Sequence, residues 1–184
     1  MSANTSYVSA GKPKIGGAFS VAATGTTLPT DASTALDNAF TNLGYISEDG
    51  LTEEMTRESE DIKAWGGDIV LTTQTEFGVK YSCTLIETLN IDVLKQVFGA
   101  ANVTGTFAAG IAVNVKADEL PEQSFVFDMV TRNSKKRIVI PKGKITEIGE
   151  VTYTDGDVTG YEITITAYPD ATSNYVHQYI LKNS

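Results

Sequence analysis

The sequence is poor in the residue types that carry most enzymatic and metal chemistry. Its 184 residues include one cysteine, one tryptophan and one histidine. A lone Cys83 excludes an internal disulfide, and together with His177 it falls short of the ligands that a zinc site requires. His177 is also the only histidine available as a base beside a nucleophile, and it lies in an aromatic run near the end. We therefore expect no enzymatic activity and no cofactor, with Cys83 packed in the core and His177 acting as a surface or packed aromatic-like residue.

Motifs for phosphate, calcium and membrane binding are missing as well. No G-x-x-x-x-G-K loop occurs, and no G-x-G-x-x-G sequence opens a helix. Asp155 and Asp157 flank Gly156 as at the start of a calcium loop, but the later ligands and the terminal glutamate are absent, which favours a turn. No stretch approaches the roughly 20 apolar residues of a membrane span, and the N-terminus lacks the apolar run of a signal peptide. These absences predict a soluble protein that is made in a cytoplasm and has no membrane partner.

Charge is unevenly distributed along the chain, whose formal net charge is −9. The acidic block, residues 48–61, holds seven carboxylates and one arginine, whereas residues 129–146 carry six cations and no acid. The carboxylates are Glu48, Asp49, Glu53, Glu54, Glu58, Glu60 and Asp61. The cations are Arg132, Lys135, Lys136, Arg137, Lys142 and Lys144. Separated blocks of opposite sign allow a chain to bind copies of itself.

Apolar residues are interleaved with the acidic block, namely Leu51, Met55, Ile62 and Trp65. An acidic block alone is usually a solvated loop, but such a loop has no use for the only tryptophan. We interpret residues 44–67 as a long loop that these four side chains anchor on a neighbouring copy, opposite the basic block. A contact between different patches closes into a ring or continues as a filament. Nucleic-acid binding by the basic block is the alternative, but the block lacks aromatics for base stacking, and the acidic chain opposes it.

Period-two alternation dominates the rest of the sequence and predicts β-structure. In residues 161–168, Tyr161, Ile163 and Ile165 share one face while polar residues occupy the other. Similar runs lie at 69–75, 79–87, 111–116, 124–130, 136–140 and 145–153, separated in several places by turn residues at Gly78, 141–143 and 155–156. At this length one core is the default. The predicted fold is mainly β within α+β, a two-sheet antiparallel sandwich or open barrel with one flanking helix.

Two helices are expected. Asn90 as N-cap and Gly99 as terminator bound the clearer one, with Ile91, Leu94 and Phe98 on one face. The weaker one lies between Pro29 and Gly44. Residues 1–30 are poor in large apolar side chains, so we expect them not to order alone, and residues 1–12 to form an arm that orders against a neighbour.

Three stretches of the sequence are distinctive: GYISEDG at 44–50, EDIKAWGGD at 60–68, and AGKPKIGGAFSVA near the start. In these stretches and in the order of its segments, the chain resembles the major tail proteins of long-tailed, non-contractile bacteriophages. The resemblance implies hexameric rings that stack helically into a tail tube, a conduit for genome delivery into the host bacterium. The implied partners are further copies of the chain, a tape-measure protein, and tail terminator and tail tip proteins, with DNA only as cargo.

The same resemblance implies one tail tube domain over residues 1–184, in which the N-terminal arm and a C-terminal tail add contacts between rings. The immunoglobulin-like domain that often follows in this family is not expected. The implied location is the virion tail, assembled in the host cytoplasm. The alternatives are a carbohydrate-binding or adhesive β-sandwich, or another virion protein such as a capsid decoration protein.

Overall fold

A computed structural model describes residues 3–183, which contain eleven strands and one α-helix. In chain order the strands are β1 Lys12–Pro13, β2 Phe19–Ala23, β3 Thr41–Asn42, β4 Thr52–Lys63, β5 Ile69–Leu85, β6 Val103–Thr106, β7 Gly110–Val113, β8 Gln123–Val130, β9 Ser134–Ile148, β10 Tyr161–Ala167 and β11 His177–Lys182. The helix α1, Ile91–Phe98, follows β5, and short 3-10 turns lie at Thr5–Tyr7 and Ala100–Asn102.

Nine strands form one antiparallel sheet, and β6 pairs with β7 in a separate ribbon. The large sheet has the order β3-β2-β8-β9-β10-β5-β4, with β1 added beside β8 and β11 beside β9. Its terminal strands, β3 and β4, do not pair with each other, so the sheet stays open. The predicted mainly β fold with two antiparallel sheets and one helix is confirmed.

The core forms where the two halves of the large sheet face each other. Phe19 of β2 stacks on Phe127 of β8 with ring centroids 4.3 Å apart, and Phe127 lies 6.0 Å from Tyr81 of β5. Along β10, Ile163 and Ile165 are fully buried, as the alternation predicted. Phe19 and Phe127 lie on neighbouring strands, whereas the contact of Phe127 with Tyr81 links β8 and β5, which are not neighbours in the sheet.

Helix α1 begins and ends where the sequence predicted. The Asn90 side chain accepts a hydrogen bond from the Asp92 backbone N–H at 3.0 Å, and Gly99 follows the last turn with φ +89°. Leu94 is buried as expected, together with Val93 and Val97. Without tertiary packing so short a helix is marginal, so its buried face is what keeps it folded.

Strands β5 and β9 are longer than predicted because two expected turns do not form. Gly78 lies within β5 opposite Thr56, so the runs at 69–75 and 79–87 are one strand. The prediction of a turn at residues 141–143 is also wrong, because β9 continues through Pro141. The β8–β9 register shifts there, and the Ser124 hydroxyl donates to the Pro141 carbonyl at 2.7 Å. A proline fits inside a strand at such an irregularity, where its missing N–H costs no ladder bond.

The predicted helix between Pro29 and Gly44 does not exist. The Asp31 carboxylate accepts hydrogen bonds from the Thr34 side chain, from the Thr34 N–H at 2.7 Å and from Ser33, and these bonds lower the pKa of Asp31. This side-chain turn competes with helix formation, and Gly44 has a left-handed backbone with φ +77°.

Both termini are more ordered on their own subunit than expected. Phe19 and Val21 are core residues, so the expectation for residues 1–30 is wrong. Within the N-terminal segment 1–12, the Ser6 carbonyl accepts a hydrogen bond from Asn133 at 3.4 Å, and Lys12 pairs with β8. Most of the expected C-terminal tail is β11, which pairs with β9. The parts of both predictions that concern residues 1, 2 and 184 lie outside the described residues.

Candidate assembly surface

The acidic block is part of a long β-hairpin, so the prediction of a loop at 44–67 is wrong in conformation. Strands β4 and β5 pair antiparallel from Thr52 to Lys63, but β10 pairs with β5 only as far as Val79. Beyond that point no other strand of residues 3–183 pairs with the ribbon of residues 56–78, here called the arm. Ten residues of strand extend it by roughly 30 Å.

The tip of the arm is a tight turn that exposes the tryptophan. The Ala64 N–H donates to the Asp68 carbonyl at 2.8 Å, and the Gly67 N–H donates to the Ala64 carbonyl at 3.0 Å. Gly66 and Gly67 occupy the left-handed region with φ +121° and +100°. Trp65 is fully exposed at 107% of its reference area. Other large apolar side chains exposed near it are Ile62, Ile69, Val70 and Leu71. Ile62 lies opposite Leu71 on one face of the ribbon, and Val70 points to the other face. A two-stranded ribbon is marginally stable by itself, and burial of these exposed apolar side chains against a partner is favourable.

All seven predicted carboxylates are exposed, and within residues 3–183 none of them forms a salt bridge. Glu48 and Asp49 precede β4, and Glu54 and Glu60 lie along it. The Glu53 carboxylate accepts a hydrogen bond from Gln178 of β11 at 2.8 Å, and that of Asp61 accepts one from Thr72 at 2.6 Å. Glu58 lies directly opposite Glu76, an arrangement in which like charges repel. The arm therefore presents negative charge that its own subunit leaves unneutralised.

The four predicted anchors separate into two groups. Met55, Ile62 and Trp65 are exposed, as a docking role requires. Leu51 is half-buried against the subunit's own core. It holds the base of the hairpin instead of reaching outwards.

Three of the six predicted basic residues are engaged within the subunit. Arg137 is 2% exposed, and its Nε and Nη2 donate to the Asp128 carboxylate at 2.6 and 3.0 Å. Lys142 lies 3.1 Å from Glu122, and Lys144 lies 2.8 Å from Glu119. The prediction that Arg137 meets the acidic block of another copy is thus wrong, because a buried, paired guanidinium has no access to it.

Arg132, Lys135 and Lys136 remain as candidates. None of them forms a salt bridge within the part of the chain that the structure describes. Arg132 lies in the turn joining β8 to β9, and Lys135 and Lys136 lie at the start of β9. Lys135 lines a separate cavity with Lys14 and Asp128, whereas Arg132 and Lys136 are beside the 3-10 turn at Thr5–Tyr7 and the end of β11. These elements enclose a groove of about 1050 Å³, which we call the terminal groove. It includes Lys182, whose place in the groove depends on the pairing of β11 with β9 and was not predicted from the sequence.

The lone cysteine and the lone histidine of the sequence both make packing contacts within the subunit. Cys83 is buried on the core side of β5, and burial raises the pKa of its thiol to about 12. The His177 ring stacks on Tyr179, with Nε2 3.2 Å from the Asp170 carboxylate. Residues 3–183 contain no group of three or more His, Cys, Asp or Glu side chains placed to hold a metal ion. The helix in this range is too short to cross a membrane.

The protein is thus an open β-sheet with an exposed charged arm and a cationic groove, two surfaces suited to contact with other molecules. The comparison with known families makes this description specific. Over residues 1–184 the chain matches the family described as phage tail tube protein, and it belongs to that family. No curated protein matches it. The resemblance carried by residues 44–50 and 60–68 is thus confirmed at the level of the family, and the chain is a structural protein of the virion tail.

Proposed function

We propose that this protein forms hexameric rings that stack helically into a non-contractile tail tube, the conduit through which the genome reaches the host bacterium. The family match over the whole chain carries the proposal. The arm supports it, because an exposed ribbon with an apolar tip and unneutralised carboxylates is suited to a neighbouring subunit.

In this proposal the arm is the assembly element, and Trp65 is its principal anchor. The basic counterpart is reduced to Arg132, Lys135 and Lys136. A net charge of −9 is compatible with a conduit, because a wall rich in cations would hold the phosphates of its cargo. The protein assembles in the host cytoplasm with a tape-measure protein, a tail terminator and tail tip proteins, and it does not catalyse a reaction.

Negative-stain electron microscopy of the purified, concentrated protein tests the oligomer. Hollow tubes or six-fold rings are the expected result. A protein that remains monomeric at every concentration contradicts the proposal.

The role of Trp65 is tested by Trp65→Ala. An anchor of this type contributes about 2 kcal/mol or more, which corresponds to roughly a 30-fold rise in the concentration needed for assembly. The variant should fold normally, because Trp65 has no burial to lose within the subunit. Val158→Ala is the matched control, since Val158 is exposed in the loop between β9 and β10. Tubes forming at the wild-type concentration from Trp65→Ala would refute the anchor role.

Charge reversal tests the pairing of the two blocks. Arg132→Glu, Lys135→Glu and Lys136→Glu together should weaken assembly, since they bring negative charge to the arm of the neighbour. Lysine substitutions in the acidic block at Glu58, Glu60 and Asp61 should then partly restore it. If the combined effect is merely additive, the two blocks do not touch.

A further inference from the structure

The terminal groove combines apolar walls with positive charge that no carboxylate of residues 3–183 pairs. Tyr7, Val8 and Ile180 line it and are 86%, 75% and 69% exposed. Its charged lining residues are Arg132, Lys136 and Lys182, and no carboxylate side chain is among the lining residues. Within the described chain these three cations form no salt bridge. The groove therefore fits an occupant that is both apolar and acidic.

The tip of the arm has this character. Residues 57–76 hold five carboxylates and two cations. Among them are exposed apolar side chains: Trp65 in the turn, Ile62, Ile69 and Leu71 on one face of the ribbon, and Val70 on the other. Asp61 and Asp68 stand within four residues of Trp65 on either side. Burial of a tryptophan side chain in such a groove removes about 150 to 250 Å² of its surface from water. The acids around it would then lie beside the cations of the rim.

The size of the groove also suits a turn and not a single side chain. Its volume of about 1050 Å³ is at the upper end of sites that enclose a drug-sized molecule, roughly 300 to 1,000 Å³. That leaves room for Trp65 together with neighbouring residues of the turn.

The occupant is not the subunit's own arm. Trp65 is fully exposed, so the tip does not enter the groove of the same chain. Tip and groove are different patches of one surface, and a contact between them has the head-to-tail form that propagates from copy to copy.

We propose that the terminal groove is the receptor for the arm tip of a second copy of this chain, with Trp65 inserted between Tyr7, Val8 and Ile180. Lys182 and Arg132 then neutralise carboxylates of the incoming arm. This inference rests on the proposed function, because it names the surface on which the assembly arm docks. It also gives the N-terminal turn and β11 a joint role, since both form walls of the receptor.

Cross-linking between separately purified variants tests the contact. Ala64→Cys places a thiol at the tip while keeping Trp65, and Asn133→Cys places one on the exposed rim of the groove. The two variants are mixed under assembly conditions and treated with a short bismaleimide. Asp155→Cys, in the exposed loop between β9 and β10, replaces Asn133→Cys in the control mixture. The burial and raised pKa of Cys83 keep that native thiol out of the reaction.

We expect the mixture of tip and groove variants to give at least about tenfold more cross-linked dimer than the control, because only an inserted tip brings the two thiols together. If assemblies form but the two mixtures cross-link equally, the receptor proposal is overturned while the tail tube proposal stands. If no assemblies form from any variant or from the wild type, both are overturned.

A single charge reversal gives an independent reading. Lys182→Glu should raise the concentration needed for assembly by about tenfold or more, because it puts a carboxylate opposite the acidic arm. Lys116→Glu is the matched control, an exposed lysine outside the groove. Equal effects of the two substitutions would mean that only net charge matters, and would overturn the receptor proposal.

Discussion

Replacement of Arg137 by methionine is expected to destabilise the subunit strongly, although the sequence marks Arg137 as one of a row of surface cations. Its guanidinium is bidentate on Asp128, and its Nη1 donates to the carbonyls of Asp31 at 3.0 Å and Thr34 at 2.7 Å. Arg137→Met removes four hydrogen bonds at once. It leaves a nearly buried carboxylate and two carbonyls without this partner.

Loss of one partner of a buried ion pair costs about 3 to 5 kcal/mol. Lys14 lies 3.3 Å from Asp128 and is half-exposed, so it still neutralises part of the charge and favours the lower end of that range. At roughly 2 to 4 °C per kcal/mol for a chain of this size, 3 kcal/mol lowers the melting temperature by about 6 to 12 °C.

Thermal and urea unfolding followed by circular dichroism measures this loss on unassembled protein. Lys136→Met is the control, because Lys136 is partly exposed and forms no salt bridge within the described residues, and it should change stability by no more than about 0.5 kcal/mol. Adding Asp128→Leu to Arg137→Met should recover part of the loss, since no charge is then left buried. An Arg137→Met variant within 1 kcal/mol of the wild type would refute the reasoning.

Three further predictions concern the thiol, a glycine and an acid-sensitive turn. Cys83 should not react with a thiol reagent at pH 8 until the protein is unfolded, because burial raises the pKa to about 12; rapid labelling of folded protein would contradict this. Gly44→Ala should cost about 1 to 3 kcal/mol in urea unfolding, because φ is +77° and the new Cβ would meet the Glu87 carboxylate at about 2.0 Å. Gly156→Ala, in open space without a positive φ, should be nearly neutral, and equal losses would refute the steric argument. Hydrogen bonds from Asn174 and Thr172 lower the pKa of Asp170 to about 2, so its contribution is present above pH 4 and lost as pH falls towards 2. Stability curves of wild type and Asp170→Asn should therefore converge in that window, and parallel curves would contradict the assignment.

The parts of the fold that the sequence predicted are those in which a local pattern and the tertiary environment agree. Ile163 and Ile165 alternate with threonines because β10 has one buried and one open face. Asn90 and Gly99 bound α1 by local hydrogen bonding and backbone conformation, which need no distant partner. Such signals are contained in a few adjacent residues.

The failures come from partners that are distant in sequence. Arg137 looks like a surface cation until Asp128, nine residues before it, and the loop at Asp31 are placed around it. Pro141 indicates a turn unless the irregular register opposite Ser124 is known. The acidic block lacks apolar alternation, so nothing local distinguishes β4 from a loop. It is strand because β5 lies beside it over its whole length.

The terminal groove shows the same limit. Its cations are Arg132 in the turn after β8, Lys136 at the start of β9 and Lys182 at the end of β11. Lys182 follows the other two by some 50 residues in sequence, and the pairing of β11 with β9 brings them together. The sequence located half of this surface, in Arg132 and Lys136. Lys182 gives no sign of its role without the sheet topology.

The unbroken course of β5 has a mechanical consequence. One strand of 17 residues runs from the tip of the arm to Leu85, which is buried in the core, with Gly78 continuing it instead of forming a hinge. A pull on the tip along the strand loads the hydrogen bonds to β10 side by side, in shear, so they must break together and not one after another. The arm can therefore transmit a pull along its axis directly into the sheet. A contact between subunits that bears load along the strand direction requires this property.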